Sequence, residues 1–113
     1  MGALAAGEVV LVPFPFSDLS ATKVRPAVCL AVVGRGDYIL CQITSQGYGD
    51  SNAVALTDAD FSQGGLLVAS FARPGKLFTA HRSLVFRSLG RLKNPSIQQL
   101  LDVVAQLFQC AKP

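Results

Sequence analysis

Residues 23–45 read KVRPAVCLAVVGRGDYILCQITS and include the longest unbroken aliphatic stretch of the chain, Ala27–Val33. An apolar run of this length is typical of a strand that is covered on both faces. Tyr38–Thr44 reads as a second strand, and the residues between the two, Gly34–Asp37, favour a short hairpin loop. The segment therefore predicts a β-hairpin.

The length of that loop sets the register of the hairpin. A four-residue loop pairs Val33 with Tyr38. One face of the hairpin is then core and carries Val28, Leu30, Val32, Ile39, Cys41 and Ile43. The other face becomes smaller and more polar toward the open end, where Arg25 is the diagonal neighbour of Thr44, about 7–8 Å away between backbones. A loop of odd length would reverse this arrangement.

Other short strands are predicted before and after the hairpin. Turn-forming residues separate them, at Gly64–Gly65, Arg73–Gly75 and Ala80–Ser83. The predicted strands are Glu8–Val12, 53–56, 66–71, 76–79 and 84–92. Many short strands with regular turn signals predict a mainly β fold, a small barrel or a sandwich, as a single domain over residues 1–113.

One helix is predicted after the last strand. Asn94 is a favourable N-cap, and Pro95 at the first helical position loses no hydrogen bond that the helix needs. Apolar residues then follow at helical spacing and form one stripe: Ile97, Leu100, Leu101, Val104, Leu107 and Phe108. We expect this stripe to pack on the sheet rather than to bind a partner.

Composition excludes several classes of protein. Of the 113 residues, 50% are hydrophobic and 15% are charged, which excludes a disordered chain. No apolar run approaches the roughly 20 residues that span a bilayer, and the N-terminal residues lack the pattern of a secretory signal. The expected location is therefore the cytoplasm, without a membrane partner.

The cysteines and the histidine do not form a metal-binding pattern. Cys29, Cys41 and Cys110 contain no CxxC pair, and His81 is the only histidine, so a Cys/His zinc site is excluded. In the predicted register Cys29 and Cys41 lie on opposite faces and cannot form a disulfide. All three are expected to be buried, inert thiols. We expect no metal and no cofactor.

The net charge of +3 conceals an asymmetry along the chain. Residues 1–60 carry three basic and six acidic residues, whereas residues 61–101 carry six basic residues and no acidic one. A block of one sign favours a polyanionic partner, although a solvated basic face would look the same.

Arg25 is the first candidate for a functional residue. It is either a surface arginine before a proline or a guanidinium that binds phosphate, with Thr44 or Ser45 adding a hydroxyl. His81 could act as an acid or base near neutral pH, but a lone histidine in a turn is equally compatible with simple exposure. Asp58 and Asp60 are separated by one residue and are expected to form a turn rather than to bind a metal.

Four segments together resemble the MazF/PemK family of toxins from type II toxin–antitoxin systems. Residues 7–20, GEVVLVPFPFSDLS, resemble the opening strand and loop, and residues 23–28, KVRPAV, resemble the Arg-Pro strand. Gln42–Ser45 resembles the end of the third strand, and Leu89–Leu92 before a helix that starts with proline resembles the C-terminal segment. Many members have a glycine and an acidic residue before the arginine, whereas residues 20–23 read SATK here.

The resemblance implies a small SH3-like β-barrel with a C-terminal helix, also found in the gyrase-poisoning CcdB toxins, and a homodimer. It also implies a sequence-specific endoribonuclease that needs no metal, cleaves single-stranded RNA and is silenced by a cognate antitoxin. The catalytic residues carried over are Arg25 and Thr44. The apolar second face of the hairpin, with Ala27, Cys29, Ala31 and Leu40, is expected to supply the dimer surface.

Single-stranded RNA carries its own nucleophile, the 2′-hydroxyl. Arg25 would stabilise the phosphorane and Thr44 would orient the scissile phosphate. The residues expected to bind RNA are Lys23, Ser45, Gln46, Arg73, Lys76 and His81. His81 or Asp18 could be the general base, and Phe16, Tyr48 or Phe78 could stack on unpaired bases.

Two other functions remain open at this point. The barrel could be a non-enzymatic poison that binds a protein such as gyrase, or a catalytically inactive relative kept as a binding module. The combination of Arg25 with Thr44 favours the nuclease over both.

Overall fold

The computed structural model describes residues 3–14, 23–47 and 49–111. Within them, seven strands form one antiparallel sheet in the order β4-β6-β3-β2-β1-β7-β5. The strands are β1 (Glu8–Pro13), β2 (Val24–Gly34), β3 (Asp37–Thr44), β4 (Val54–Leu56), β5 (Phe61–Gly64), β6 (Ser70–His81) and β7 (Arg87–Leu92). One helix, α1 (Asn94–Gln109), follows, and two 3₁₀ turns cover Asp58–Asp60 and Arg82–Leu84. The predicted mainly β fold with a C-terminal helix is confirmed.

The β2–β3 hairpin has a tighter loop than the sequence predicted. Gly34 pairs with Asp37, so the loop is Arg35 and Gly36, whose φ angles of 56° and 80° suit a two-residue turn. Two irregularities in the ladder then change the register, so that Val28 lies opposite Cys41. The predicted pairing of Val33 with Tyr38 is wrong, because bulges shift a register that loop length alone does not fix.

Each face of the sheet has its own apolar core. Val28, Cys41 and Ile43 belong to one core, which Ile97 and Leu100 of α1 help to cover. Successive strand residues point to opposite faces, so the neighbouring residues form the second core. Its buried members are Leu4, Val10, Val12, Ala27, Cys29, Tyr38, Leu40 and Ala80.

The hairpin face that was predicted to form the dimer surface belongs to the second core. Ala27, Cys29 and Leu40 are fully buried within the single chain. The N-terminal segment covers them, with the Leu4 amide donating a hydrogen bond of 3.1 Å to the Tyr38 hydroxyl. The face was expected to need a second copy, but residues before β1 already exclude water from it. Cys29 and Cys41 do lie in separate cores and are both free, as predicted.

The C-terminal half of the sheet differs from its prediction in several places, and β5 was not predicted. The strands predicted at 66–71 and 76–79 are wrong, because a single strand, β6, runs from Ser70 to His81. Its ladder with β3 jumps from Leu77 to Ala72, so residues 73–76 form a wide bulge instead of a turn. Residues 65–69 belong to no strand, and the predicted strand 84–92 begins only at Arg87, after a 3₁₀ turn.

The buried residues of the helix lie in its first half, and Val103 and Val104 in its second half are partly buried against the same core. Its N-cap is Lys93, whose carbonyl accepts hydrogen bonds from the Ser96 and Ile97 amides at 3.0 and 3.1 Å, so the prediction of Asn94 as N-cap is wrong by one residue. Ile97 and Leu100 are buried. Phe108, predicted to pack on the sheet with the rest of the stripe, is 68% exposed, so this part of the prediction is wrong. No helix among the described residues is long and apolar enough to cross a membrane.

Candidate functional site

A cavity of about 550 Å³ lies where the central strands end and residues 65–68 fold against them. The sheet order places β3, β2, β1 and β7 side by side, and Pro26 pairs with Leu11, which pairs in turn with Arg87. These three residues form a row across three strands and all line the cavity. Arg25 and Thr44 line it too. Antiparallel pairing thus brings together residues that are far apart in sequence.

Arg25 and Thr44 lie closer in register than the sequence predicted. Ala27 pairs with Gln42, and continuing this antiparallel ladder by two residues on each strand places Thr44 directly opposite Arg25. Arg25 is exposed, and no described residue forms an ion pair with it. Its guanidinium is therefore free to bind an anion that enters the cavity.

The Thr44 hydroxyl is held by the turn that follows β3. Thr44 is only 9% exposed, and its Oγ1 accepts a hydrogen bond of 3.2 Å from the Gln46 amide. A hydroxyl has one proton to donate and two lone pairs to accept with. Since one lone pair is used by the turn, the proton remains available to a ligand oxygen in the cavity.

A second guanidinium, Arg87, was counted in the basic block but not singled out as a site residue. It lines the same cavity as Arg25, is exposed and has no ion-pair partner among the described residues. Other arginines of that block are engaged elsewhere: Arg73 binds Asp50 at 3.1 Å and Arg91 lies 3.8 Å from Glu8. The pairing of Arg87 with Leu11 of β1, which sequence spacing does not reveal, is what brings Arg87 to the cavity.

The residues predicted to bind RNA are divided between two regions. Ser45 and Gln46 line the cavity beside Thr44. Lys23 is exposed and immediately precedes β2, where its carbonyl accepts a hydrogen bond of 3.1 Å from the Phe14 amide. Arg73, Lys76 and His81 lie on β6, outside the cavity lining. A direct role for these three in RNA binding stays a prediction.

Two of the candidates for the general base and for base stacking, His81 and Phe78, do not line the cavity. His81 is exposed, and its Nδ1 caps the 3₁₀ turn by accepting a hydrogen bond of 3.1 Å from the Ser83 amide. The Ser83 hydroxyl lies 2.9 Å from the same nitrogen. Phe78 packs edge-on against Phe14, with ring centroids 5.5 Å apart. Asp18, Phe16 and Tyr48 lie outside the described residues.

Gln42 offers an acceptor near the candidate pair. It lies two residues before Thr44 on the same face of β3, and its Oε1 is buried without a hydrogen-bond partner within the described part of the chain. A buried polar atom without a partner is costly. Gln42 itself is not among the described residues that line the cavity.

The chemistry available in the cavity is that of anion binding by arginine and hydroxyl groups. Residues 3–14, 23–47 and 49–111 contain no cluster of three or more histidine, cysteine, aspartate or glutamate side chains that could hold a metal ion. Among the described residues that line the cavity there are two arginines and no carboxylate. A negatively charged ligand such as a phosphodiester fits this lining best.

Several solved structures have the same fold. An endoribonuclease in complex with its cognate antitoxin, from a mycobacterial species, superposes with a TM-score of 0.73 at 13% identity, over 100% of both chains. MazF from Deinococcus radiodurans gives a TM-score of 0.75 at 19% identity, over 96% of this chain and 99% of that one. The Mycobacterium tuberculosis toxin MazF-mt6 gives 0.71 at 17% identity, over 93% and 99%.

The family comparison covers nearly the whole chain. None of the curated proteins compared with it matches. The family model of PemK-like, MazF-like toxins of type II toxin–antitoxin systems matches residues 5–108, which include every strand of the sheet and most of α1. The chain therefore belongs to the PemK-like, MazF-like toxin family of type II toxin–antitoxin systems.

Proposed function

We propose that this protein is an endoribonuclease toxin that cleaves single-stranded RNA without a metal ion and is neutralised by a cognate antitoxin. The observation that carries the proposal is that Arg25 and Thr44 line one cavity, together with a second exposed arginine, Arg87. Family membership supports the toxin class. One structure with this fold is that of an endoribonuclease bound to its antitoxin, which supports the activity and the partner.

The proposed reaction uses the 2′-hydroxyl of RNA as the nucleophile. The 2′-oxygen attacks the adjacent phosphorus, the bond to the 5′-oxygen of the next nucleotide breaks, and a 2′,3′-cyclic phosphate forms. Arg25 stabilises the negative charge that develops on the phosphorane, and the Thr44 hydroxyl donates a hydrogen bond to a non-bridging oxygen. Arg87 holds a neighbouring phosphate. The 2′-proton passes to a base, and the departing 5′-oxygen takes up a proton, so that the second product ends in a 5′-hydroxyl.

The test is cleavage of a long single-stranded RNA by purified protein in excess EDTA. We expect cutting to continue, a single 2′-deoxy substitution at the cut site to block it, and the products to carry 2′,3′-cyclic phosphate ends. Complete loss of activity in EDTA would contradict the metal-independent mechanism. A 3′-hydroxyl product would indicate an external nucleophile. No cleavage at all would favour a non-enzymatic poison or an inactive binding module.

We further propose that the toxin acts as a homodimer in the cytoplasm, where messenger RNA is accessible. Several large apolar side chains stay exposed in the single chain, which is unusual for a stable monomer when they are contiguous. They include Val32, Val33, Leu84, Phe86 and Phe108. We therefore propose that the dimer interface covers some of these exposed side chains, instead of the hairpin face with Ala27, Cys29 and Leu40, which is buried within one chain.

A further inference from the structure

A second, smaller cavity lies beside the first. Its volume is about 170 Å³, and the two cavities share a wall made of Leu66, Leu67 and Val68. Sites that enclose a drug-sized ligand are larger, roughly 300–1,000 Å³. The second cavity therefore has room for one planar base rather than for a whole nucleotide.

The lining of the second cavity differs from that of the first. Its polar groups come from Thr57 and Asp58, and most of the rest is apolar, including Leu56 and Phe61. Counting the residues that the structure describes, it has a carboxylate and no arginine or lysine, whereas the first cavity has two arginines and no carboxylate. A carboxylate repels phosphate but accepts hydrogen bonds from the donor groups of a base. The two linings thus suit different parts of one RNA strand.

Asp58 and Asp60 differ in what they bind, although they belong to the same turn. The Asp60 carboxylate accepts hydrogen bonds from the Thr57 amide at 2.8 Å and from the Ser96 hydroxyl at 2.7 Å, so it is fully used in joining the turn to α1. Asp58 is exposed and makes no hydrogen bond or ion pair with any residue that the structure describes. Its carboxylate is available to a ligand.

The position of Asp58 links it to the first cavity. A β-carbon built on Gly65 would lie 3.4 Å from Oδ1 of Asp58, so the carboxylate reaches the backbone of Gly65. Gly65 itself lines the cavity that holds Arg25 and Thr44. Asp58 therefore lies at the boundary between the two cavities, on the far side of the apolar wall.

We propose that the second cavity binds the guanine base of a nucleotide next to the scissile phosphate, with Asp58 accepting hydrogen bonds from N1–H and N2–H₂. Guanine presents two adjacent donors on its Watson–Crick edge, which match the two oxygens of one carboxylate. Adenine and cytosine place an acceptor beside their donor, and uracil has one donor between two carbonyl groups. Unpaired bases in RNA are commonly recognised on this edge. The inference rests on the proposed nuclease function and adds its base preference.

The experiment compares RNA substrates that differ only in the nucleotide next to the mapped cut, which is guanosine, inosine or adenosine. We expect guanine to be cut best, and inosine, which lacks the 2-amino group, to be cut less well. The Asp58→Asn variant has one acceptor and one donor, the pattern that complements adenine. It should lose roughly tenfold to a hundredfold in cutting at guanine and shift its preference toward adenine.

Asp102→Asn is the matched control, because it removes one negative charge from α1 and lines neither cavity. It should keep the wild-type base preference. The same oligonucleotides with a 2′-deoxy sugar at the cut site cannot be cleaved. Their binding, measured by fluorescence anisotropy, therefore reports recognition separately from cleavage. One outcome is that the wild-type protein binds guanine preferentially, Asp58→Asn loses this preference, and neither protein cleaves RNA. That outcome would support the base site and overturn the nuclease proposal. Cleavage or binding whose base preference is the same in wild type and Asp58→Asn would overturn the base site alone.

Discussion

Arg25 occupies an unusual position for an exposed arginine, because it lies within the central strand β2, opposite Val12 of β1. Interior strand positions usually hold β-branched or aromatic residues that pack on neighbours. The first core residue after it, Ala27, is fully buried, so the strand passes from solvent into the core within two residues. The arginine contributes little to packing, and its place is explained by the cavity that it lines.

Replacing Arg25 by alanine should lower RNA cleavage by roughly 10²–10³, the usual loss when one donor to a transition-state anion is removed. Arg25→Lys should restore little, because an ammonium group cannot make the two-pronged contact. The melting temperature should barely change, since the side chain is exposed and has no ion-pair partner in the described part of the chain. Initial cleavage rates measured beside circular-dichroism melting curves test this prediction.

Arg35→Asn is the control for loss of a positive charge. Arg35 lies in the loop beyond the other end of β2 and has a φ of 56°, a conformation that asparagine tolerates. This variant should cut RNA at nearly the wild-type rate. A correctly folded Arg25→Ala protein with wild-type activity would place the active site elsewhere.

The three thiols should differ sharply in reactivity. Burial raises the pKa of Cys29 to about 11 and that of Cys41 to about 12, so neither forms a thiolate near neutral pH. Cys110, by contrast, is exposed at the end of α1, which corrects the expectation that all three are buried. We expect iodoacetamide at pH 8 to modify one thiol in the folded protein and three in denaturant, as counted by mass spectrometry. Equal labelling of Cys29 under native conditions would contradict this burial.

At the scale of elements, β5 closes the sheet against β7 through a pair of glycines. Gly64 pairs with Gly90, and both have positive φ angles, of 63° and 157°. A β-carbon on Gly64 would overlap the carbonyl oxygen of Leu89, and one on Gly90 would overlap that of Gln63. Only glycine permits this close approach. The contact positions the chain immediately before Leu66–Val68, the residues that separate the two cavities.

Gly64→Ala should therefore destabilise the protein by roughly 1–3 kcal/mol, through a strained backbone and a steric overlap. Gly47→Ala is the matched control, because a β-carbon there meets no atom within 4 Å among the described residues. Urea denaturation followed by circular dichroism gives the free energies of unfolding. Similar values for the two variants would show that the β5–β7 contact is looser than described.

The 3₁₀ turn at Asp58–Asp60 joins the sheet to α1 through one carboxylate. Burial alone would raise the pKa of Asp60, but hydrogen bonds from Thr57 and Ser96, with the charge of Lys93, hold it below its usual value. A carboxylate with a lowered pKa in the folded state stabilises the fold above its unfolded pKa of about 3.9. That contribution is lost as the pH falls below about 4.

Asp60→Asn should consequently lower the urea midpoint at pH 7, and the difference from wild type should shrink at pH 3, below the unfolded-state pKa of about 3.9. Asp58→Asn, which removes a carboxylate without a partner among the described residues, should leave the midpoint unchanged at both values. Urea titrations of the three proteins at the two pH values provide the measurement. A difference for Asp60→Asn that does not change with pH would show that the lost interaction does not depend on ionisation.

At the scale of the whole molecule, we expect a dimer in solution. The second core is complete within one chain, so association must use other apolar surface, such as the exposed Phe86 and Phe108. Light scattering at micromolar concentration should give twice the mass of the 113-residue chain. A monomer under these conditions would contradict the proposal without affecting the fold.

Local sequence patterns predicted most of the elements correctly. The aliphatic run of Ala27–Val33, the turn residues after it and the helical spacing after Pro95 each depend on neighbours in sequence. The strand boundaries that were predicted wrongly are those that depend on pairing with a strand distant in sequence. Residues 73–76 contain the turn-forming pair Pro74-Gly75, yet pairing with β3 and β4 on either side keeps β6 continuous around a bulge.

The sequence by itself determined the mainly β fold, the family and the candidate pair Arg25 and Thr44, because these follow from local patterns and from motifs that resemble known toxins. The tertiary structure alone decided which other residues join them. Arg87 enters the cavity through the pairing of β7 with β1, and Asp58 reaches its edge because β5 closes on β7. The physical reason is that strand register and bulges are set by packing between distant segments, which spacing along one chain does not encode.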